Sequence, residues 1–336
     1  MLSATVSTQL ARADIEAIQH FITGREADLG FRPVSDQAWA ELGHGPIGRM
    51  ITVQLRDKAG TIAAYAQAVA PMPAAPAPAD ASSDAAPPDR TWTLEVAFDT
   101  DDPARITRLA THVLASVIQA VLRAGGIDLT WVVQAPGAVH ERVASTFGLH
   151  PERRLHQMRR SLPTGLPVSI ETRPFDVDRD LDEWVLVNNR AFAWNPEQGN
   201  WTAANFRARM DEPWFDARGF LIHERDGRMA GFCWTKIHLP GIDIAGSVPP
   251  IGEIYVIAVD PDFHGLGLGH ALTVAGLDSL ARRGVIVGML FVDADNVSAV
   301  RLYDKLGFVI SRTDCLYSGR LRDPGLPVLE PTEQRP

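Results

Sequence analysis

The stretch HGLGLGHAL, residues 264–272, sets three glycines at alternate positions and runs directly into an apolar pattern with helical spacing. The apolar segment GEIYVIAV, residues 252–259, precedes it and is typical of a strand. When a strand, a glycine-rich turn and a helix follow one another, the N–H groups of the turn point toward the helix N-terminus and favour a phosphate there. Glycine suits such a turn because a Cβ would block close approach and because some positions need a positive φ.

Two other interpretations of the glycines compete with a phosphate loop. The dinucleotide-binding fingerprint G-x-G-x-x-G fails, because its third glycine, counted from Gly265 and Gly267, falls on His270. A flexible turn that binds nothing fits the glycine triplet equally well when the triplet is considered alone. The choice between a phosphate loop and a bare turn therefore depends on the rest of the chain.

Composition and charge narrow the class of protein. A chain of 336 residues has room for about two domains, and 46% hydrophobic with 22% charged residues is typical of a soluble globular protein. The net charge of -9 argues against a general binder of nucleic acid or of a membrane surface. The chain begins without a secretory signal pattern and has no apolar run of membrane-spanning length, so we expect a cytoplasmic protein. Cys233 and Cys315 are too few for a disulfide framework or a cysteine zinc site, and no metal is expected.

The chain repeats itself. Two strand-turn-strand segments, residues 51–69 and 220–238, are followed by matches at a nearly constant offset, which pairs Glu95 with Glu253. Two weakly similar halves therefore follow one another. We predict an N-terminal domain at residues 1–162, a C-terminal domain at residues 168–320 and a flexible tail at residues 321–336.

One segment of the first half differs in composition from its surroundings. PMPAAPAPADASSDAAPPDR, residues 71–90, has Met72 as its only large apolar residue and buries too little surface to offset its ordering entropy. The segments on both sides, ITVQLRDKAGTIAAYAQAV and TWTLEVAF, are strand-like. We therefore predict a disordered insertion inside the first domain rather than a domain boundary.

The order of elements predicts the fold class. Each half is predicted as two helices, two strands, and then a strand, a helix, a strand, a helix and a final strand pair. In the second half the segments are VSIETR, DLDEWVLVNNRAF, WTAANFRARM, the hairpin at 220–238, GEIYVIAV, GLGHALTVAGLDSLARRG, VIVGMLFV, NVSAVRLYDKLG and FVISRTDCLYSGR. Asp226 and Gly227 supply the hairpin turn, and Gly284 ends the helix after the glycine loop. This order predicts an α/β fold with a mixed sheet flanked by helices.

Two motifs point to a known superfamily. VDPDFHGLGLGHAL, residues 259–272, resembles the acetyl-CoA loop of the GNAT acetyltransferases, in which Gln or Arg is followed by two residues, Gly, one residue, and Gly or Ala. His264, Gly267 and Gly269 occupy those places, and His264 departs from the usual Gln or Arg. DADNVSAVRLYDKLGF, residues 293–308, resembles the second signature of the superfamily.

The resemblance implies two tandem GNAT-like domains, the first of them degenerate, and an acetyl-CoA-dependent N-acetyltransferase. Loop amides would hold the pyrophosphate of coenzyme A, and the strand before the loop would diverge from its neighbour to admit the pantetheine arm. The acetyl-CoA contacts that it implies are Ile257, Ala258, Val259, His264, Gly265, Leu266, Gly267, Leu268, Gly269, His270, Asn296 and Arg301.

Longer phrases narrow the resemblance. NNRAFAWNPEQGNWTA, GFCWTKIH and LYDKLGF, together with the tandem halves, resemble the mycothiol synthases of actinobacteria. Members of that family transfer acetyl to the cysteinyl amine of cysteinyl-glucosaminyl-inositol, a pseudo-disaccharide that carries cysteine. The resemblance places Asp36, Glu197, Lys236, Glu253 and Phe291 around this small-molecule acceptor, and Phe291 stands where the family has a Tyr.

The reaction itself requires a base and an acid. An ammonium must lose a proton before it attacks a thioester, and the thiolate that leaves benefits from protonation. Glu253 lies near the start of an otherwise apolar strand and is the candidate base, which would take the proton through a water molecule. A carboxylate at this position could also simply face solvent at the end of a strand. Tyr303 is the candidate acid, although a core aromatic also fits its helical spacing. Asn296 also suits a helix N-cap.

The first half lacks these features. Thr107, Leu109 and Thr111 align with the three loop glycines, and Ala144 aligns with Tyr303, so we predict that this half is catalytically silent. Asp36 would let it close the acceptor pocket of a monomer. Two other functions stay open: an acetyltransferase for another amine, such as an aminoglycoside or a protein N-terminus, and a non-catalytic acyl-CoA binding module.

Overall fold

The computed structural model describes residues 2–44, 49–70, 91–195, 198–238 and 250–325. The predicted insertion at residues 71–90, Glu197 and residues 326–336 of the predicted tail lie outside these ranges. The chain divides into two compact units, Met1–Arg154 with Thr313–Pro336, and Leu155–Arg312. None of the helices in the described ranges has both the length and the apolar character needed to cross a membrane.

The first unit contains a mixed sheet with helices. Its strands are β1 (Ser3–Ser7), β2 (Met50–Arg56), β3 (Ile62–Val69), β4 (Thr91–Phe98), β5 (Asp128–Val133) and the C-terminal part of β12 (Val309–Arg320), in that order across the sheet. Its helices are α1 (Arg12–Leu29), α2 (Asp36–His44), α3 (Pro103–Arg123) and α4 (Ala138–Thr146). β4 and β5 are parallel, and Cys315–Arg320 of β12 pair antiparallel with β5. The C-terminal part of β12, the last strand among the described residues, thus belongs to the sheet of the first unit.

The second unit has the same plan. Its strands in sheet order are β6 (His150–Ser161), β11 (Val287–Asp293), β10 (Ile251–Val259), β9 (Arg228–His238), β8 (Phe220–Arg225) and β7 (Arg173–Pro174). Its helices are α5 (Val177–Ala191), α6 (Ala203–Met210), α7 (Leu268–Arg282) and α8 (Val297–Lys305). β10 and β11 are parallel, and β6 joins this sheet by pairing Leu155–Ser161 antiparallel with β11. The mixed α/β class predicted from the sequence is therefore confirmed.

The boundaries of the two structural units differ from the domain boundaries that the sequence repeat predicts. β6 comes from the end of the first half of the sequence but pairs in the second unit, and the end of β12 pairs in the first. Two smaller expectations were wrong. Of VSIETR, residues 168–173, only Arg173 lies in a strand, the two-residue β7, and the expected final strand pair of the second half is the single twelve-residue strand β12.

The predicted hairpin turn and the predicted end of α7 are both confirmed. Asp226 and Gly227 have φ values of 54° and 74°, which is the pair of positive φ angles that a type I′ hairpin between β8 and β9 requires. α7 ends at Arg282, and Gly284 follows with a φ of 82°. Both signals act over a few residues, so the local sequence determines them.

The sheet of the second unit buries both faces. On one face, α7 approaches closely because Gly252 and Gly288 lie beneath it, where a Cβ would come within 2.7 Å of Leu280 and 2.9 Å of Leu277. On the other face, Trp234 stacks on Phe220 with ring centroids 4.7 Å apart, within a larger aromatic cluster. The strands that carry the candidate site are therefore held by close packing on both sides.

Alanine at Gly276 tests the close approach of α7. A Cβ there would overlap the Sγ of Cys233 and lie 2.9 Å from Ile254 Cδ1, so we expect Gly276→Ala to lower the free energy of unfolding by about 1–3 kcal/mol. Gly24 in α1 is the matched control, since nothing lies within 4 Å of its Cβ position and Gly24→Ala should stabilise by about 0.5–1 kcal/mol. Chemical denaturation measures both. Wild-type stability in Gly276→Ala would contradict the tight packing.

Candidate active site

The turn before the glycine loop is fixed by a buried carboxylate. Asp260 is 1% exposed, accepts a hydrogen bond from the Asp262 N–H at 2.9 Å and lies 3.2 Å from the guanidinium of Arg190. These contacts close a short 3₁₀ turn over Pro261–Phe263. The loop therefore starts from a defined position at the end of β10.

The glycine loop has the backbone that the sequence predicts. Gly265 and Gly267 have φ values of 80° and 75°, in the left-handed region, and Gly267 is the N-cap of α7. Gly269 is different, because it lies in the first turn of the helix, where a Cβ would be 3.7 Å from Leu302 of α8. Two of the three glycines thus meet a conformational need, and the third faces α8.

The start of α7 is suited to an anion. The first N–H groups of a helix have no carbonyl partner within the helix, and the helix dipole adds a partial positive charge there. Residues 264–267 are exposed, and α7 runs for fifteen residues behind them. The loop can therefore offer several N–H groups to a pyrophosphate. His264 closes the base of this loop, since its Nε2 lies 3.1 Å from the Val259 carbonyl oxygen.

β10 and β11 diverge next to this loop. Their parallel ladder runs from Ile251 paired with Val287 to Ile254 paired with Leu290, whereas β10 continues to Val259 and β11 continues to Asp293. The register of β10 against β9 shifts between Ile254 and Val256, which makes Tyr255 a β-bulge. The divergence implied by the family resemblance is thus present.

The open edge of β10 presents backbone groups. The Asp260 N–H donates to the Ala230 carbonyl of β9 at 3.0 Å. Because antiparallel pairing alternates, Ala258 also points its backbone groups toward β9, and Ile257 and Val259 point theirs toward the gap. Of the three residues expected to contact the pantetheine arm, two are therefore directed to the gap by their backbone.

Glu253 lies one residue before the ladder ends. It is 8% exposed, and its Oε2 accepts a hydrogen bond from His238 Nε2 at 2.7 Å. Lys236 faces Glu253 directly across the β9–β10 pair, and its Nζ lies 4.9 Å from the centre of the Trp214 ring. Phe291 is 39% exposed and shares this face, since it lies two residues after Met289, the partner of Glu253. Lys236, Glu253 and Phe291 are thus brought to one face of the sheet.

Tyr303 lies in α8 among the core residues on the α7 side of the sheet. It is 7% exposed and contacts Phe308 edge-on with ring centroids 5.8 Å apart. Burial, with a smaller effect of the Cys233 thiol, raises the pKa of the Tyr303 phenol above its ordinary value. Its hydroxyl has no hydrogen-bond partner among the described residues. Tyr303 is therefore a protonated phenol with a donor to offer.

Asn296 and Arg301 occupy the start and the surface of α8. The Asn296 Oδ1 accepts hydrogen bonds from the Ala299 N–H at 3.2 Å and the Ser298 hydroxyl at 2.9 Å, which makes Asn296 the N-cap. Arg301 is exposed on the same helix. The cap fixes the start of the helix that carries Tyr303.

The placement of two further acceptor residues, Asp36 and Glu197, stays a prediction. Asp36 is the first residue of α2 in the first unit, where it forms an ion pair with Arg32 at 3.3 Å. Glu197 lies outside the described residues. Sequence reasoning also missed His238, although strand alternation from Lys236 places residue 238 on the same face and next to Glu253.

The first unit lacks the loop at the aligned positions. α3 starts at Pro103, with Asp102 as an N-cap that accepts from the Arg105 N–H at 2.8 Å. Thr107 and Thr111 therefore lie inside the helix, and their hydroxyls bond to backbone carbonyls one turn earlier, at 2.8 and 2.7 Å. Regular helix at these positions leaves no concave row of free N–H groups.

Comparisons with known proteins identify the family of this chain. The sequence model of the Acetyltransferase (GNAT) family matches residues 186–308. A mycothiol acetyltransferase of Thermobispora bispora is 43% identical over 206 residues, which are 60% of this chain and 69% of that protein. A mycothiol acetyltransferase of Nocardia farcinica is 35% identical over 312 residues, which are 90% of this chain and 93% of that protein. The chain belongs to the mycothiol acetyltransferase family.

Solved structures show the same fold. A GCN5-related N-acetyltransferase from Sphaerobacter thermophilus superposes with a TM-score of 0.70 at 19% identity and covers 96% of each chain. A tandem GNAT protein from the clavulanic acid biosynthesis pathway superposes with a TM-score of 0.66 at 12% identity, over 95% of this chain and 98% of the other. Family membership and fold together show that this protein is an acetyltransferase. GNAT enzymes use an acyl-CoA donor.

Alanine at Gly267 tests the phosphate loop. A φ of 75° is costly for any residue with a Cβ, so we expect Gly267→Ala to weaken acetyl-CoA binding about tenfold or more in calorimetric titration. Gly284→Ala is the matched control, because Gly284 has a φ of 82° at the opposite end of α7. It should lose similar stability but bind acetyl-CoA normally. Equal binding by wild type and Gly267→Ala would remove the loop from the donor site.

Proposed function

We propose that this protein is a mycothiol synthase, which transfers acetyl from acetyl-CoA to the cysteinyl amine of cysteinyl-glucosaminyl-inositol. One geometric observation carries the reaction type: β10 and β11 separate one residue after Glu253, so a thioester entering between the strands meets this carboxylate. The acceptor is the one that the family resemblance implies, and it is supported by a relative named mycothiol acetyltransferase that matches 90% of the chain. Acetyl-CoA is a cytoplasmic metabolite, and we propose the cytoplasm as the site of action.

The donor enters from the α7 side of the sheet. Its pyrophosphate lies on the N–H groups at the start of α7, and its pantetheine amides pair with the backbone groups of Ile257 and Val259 that face the gap. Asn296 is the N-cap of α8 and Arg301 lies within this helix, which Gly269 of the loop faces, and both residues contact the same donor. One N–H at the gap polarises the thioester carbonyl and stabilises the oxyanion that forms on it.

The acceptor amine arrives on the opposite face. Glu253 takes a proton from the ammonium through a water molecule, and the free amine then attacks the thioester carbonyl. His238 holds one carboxylate oxygen of Glu253 at 2.7 Å, which leaves the other oxygen for the water. His238 is therefore a positioning residue for the base.

Tyr303 completes the reaction. When the carbon–sulfur bond breaks, the phenol gives its proton to the leaving sulfur and coenzyme A departs as the thiol. The nitrogen loses its second proton as the amide forms, and this proton returns through water to the phenolate. Because burial raises the pKa of the Tyr303 phenol, this group carries its proton before the reaction starts. The acid and the base thus act from opposite sides of the sheet, with the thioester between them.

The charges on the acceptor face favour this acceptor over a polycation. Lys236 stands directly opposite Glu253, so an aminoglycoside with several ammonium groups would meet a like charge beside the base. Phe291 lacks the hydroxyl of the Tyr expected in the family, and the loss of one hydrogen bond costs about 0.5–1.5 kcal/mol. That cost weakens acceptor binding without preventing the reaction.

The activity assay uses purified protein, acetyl-CoA and cysteinyl-glucosaminyl-inositol, with cysteine and a simple aminoglycoside as control acceptors. Chromatography should follow coenzyme A and the acetylated product, because the acceptor itself carries a thiol. We expect turnover that is selective for the pseudo-disaccharide. Acetyl-CoA binding without turnover on this acceptor would reject the proposed acceptor, and selective turnover on the aminoglycoside would replace it.

Removing one hydroxyl tests the acid. We expect Tyr303→Phe to lower kcat about 10²- to 10⁴-fold with an unchanged thermal unfolding midpoint, because the ring still packs and only the donor is lost. Tyr317→Phe is the control, since Tyr317 is 4% exposed in the core of the first unit. It should turn over at the wild-type rate. A wild-type kcat in Tyr303→Phe would assign Tyr303 to packing alone.

A further inference from the structure

β6 adds polar side chains to the face that carries Glu253. Met289 of β11 pairs with Glu253 on one side and with Arg159 on the other, and Phe291 pairs with Gln157. Residues paired across neighbouring strands point to the same face of a sheet. Lys236, Glu253, Met289 and Arg159 therefore form one row across four strands. β6 lies outside the part of the chain that matches the GNAT family, so its contribution to the site cannot be read from that match.

Among the described residues, the Arg159 side chain is oriented by a hydrogen bond and not by an ion pair. Its Nε donates to the Gln157 Oε1 at 2.9 Å, and no described carboxylate forms an ion pair with it. It is half-buried, and burial together with the nearby Arg312 lowers the pKa of its guanidinium. A partly desolvated cation beside a like charge is unfavourable unless a ligand supplies oxygen atoms to its free N–H groups. The fork of N–H donors at the end of the Arg159 side chain is available for this.

The neighbours of Arg159 fit a ring that carries hydroxyl groups. Gln157 is buried with its carbonyl oxygen held by Arg159, and Phe291 beside it presents an apolar ring that is 39% exposed. Two strand spacings separate Arg159 from Glu253, which is about 10 Å between backbones. An acceptor with its amine at Glu253 therefore crosses Met289 and Phe291 before it reaches the guanidinium.

We propose that Arg159, oriented by Gln157, binds hydroxyl oxygens of the acceptor's sugar or cyclitol ring, and that Phe291 supports the apolar face of that ring. This inference rests on the proposed function for the position of the amine. It assigns specificity for a polyhydroxylated acceptor to a strand from the first half of the sequence. Arg suits this role because its planar fork contacts two oxygens at once.

The kinetic test compares two acceptors. Arg159→Gln should raise the KM for cysteinyl-glucosaminyl-inositol about tenfold or more at an unchanged kcat, because charged hydrogen bonds are lost in ground and transition states alike. The KM for cysteine amide, which lacks the rings, should stay the same. Arg159→Lys should recover only part of the affinity. Arg282→Gln is the control, since Arg282 is 71% exposed at the end of α7 and pairs with Asp278.

A binding measurement separates this inference from the proposed function. Calorimetric titration with glucosaminyl-inositol, which lacks the cysteinyl group, needs no turnover, and Arg159→Gln should weaken it about tenfold. Equal binding by wild type and Arg159→Gln would overturn the inference even if the enzyme is active. An equal kinetic loss on both acceptors would also overturn it, since that result indicates a general structural role. A third result is possible: the wild type binds glucosaminyl-inositol more tightly than Arg159→Gln does but shows no turnover. That result would reject the proposed reaction and leave the role of Arg159 intact.

Discussion

The separation of β10 from β11 is the constraint on which the site depends. Parallel strands that stayed paired to their ends would leave no gap and no free backbone groups beside Glu253. The bulge at Tyr255 accompanies the separation, and the Tyr255 ring lies 4.9 Å from Trp214 and 5.3 Å from Trp234 between centroids. The aromatic cluster of the second unit thus holds the residue at which the strand changes direction.

The first unit has the corresponding parallel ladder, which also ends before its strands do, but it has no bulge between β3 and β4. There β4 pairs with β5 as far as Glu95, which aligns with Glu253. Glu95 accepts hydrogen bonds from both the N–H and the hydroxyl of Ser35, each at 2.5 Å. The same carboxylate position therefore anchors the start of α2 in one unit and faces a histidine at the strand divergence in the other.

Sequence reasoning succeeded where local chemistry decides the structure. The positive φ angles of Gly265 and Gly267, the Asp226–Gly227 turn and the N-cap at Asn296 all depend on a few adjacent residues. Strand partners depend on distant segments, so neither the placement of β6 beside β11 nor the bulge at Tyr255 followed from local pattern. The partnership of His238 with Glu253 needed the hairpin register as well. For the same reason VSIETR, which has strand-like residues, contributes only Arg173 to the short strand at the edge of its sheet.

The exchange of β6 and β12 has an evolutionary consequence. After a gene is duplicated, either copy can normally be lost as long as the other copy keeps the function. Here the first copy supplies the strand that covers the open side of β11, and the second copy supplies the strand that covers β5. Deleting the half without a glycine loop would strip an edge from the half that has one. Each half of the sequence therefore depends on the other for one strand of its sheet, and neither can be removed without exposing an edge of the one that remains.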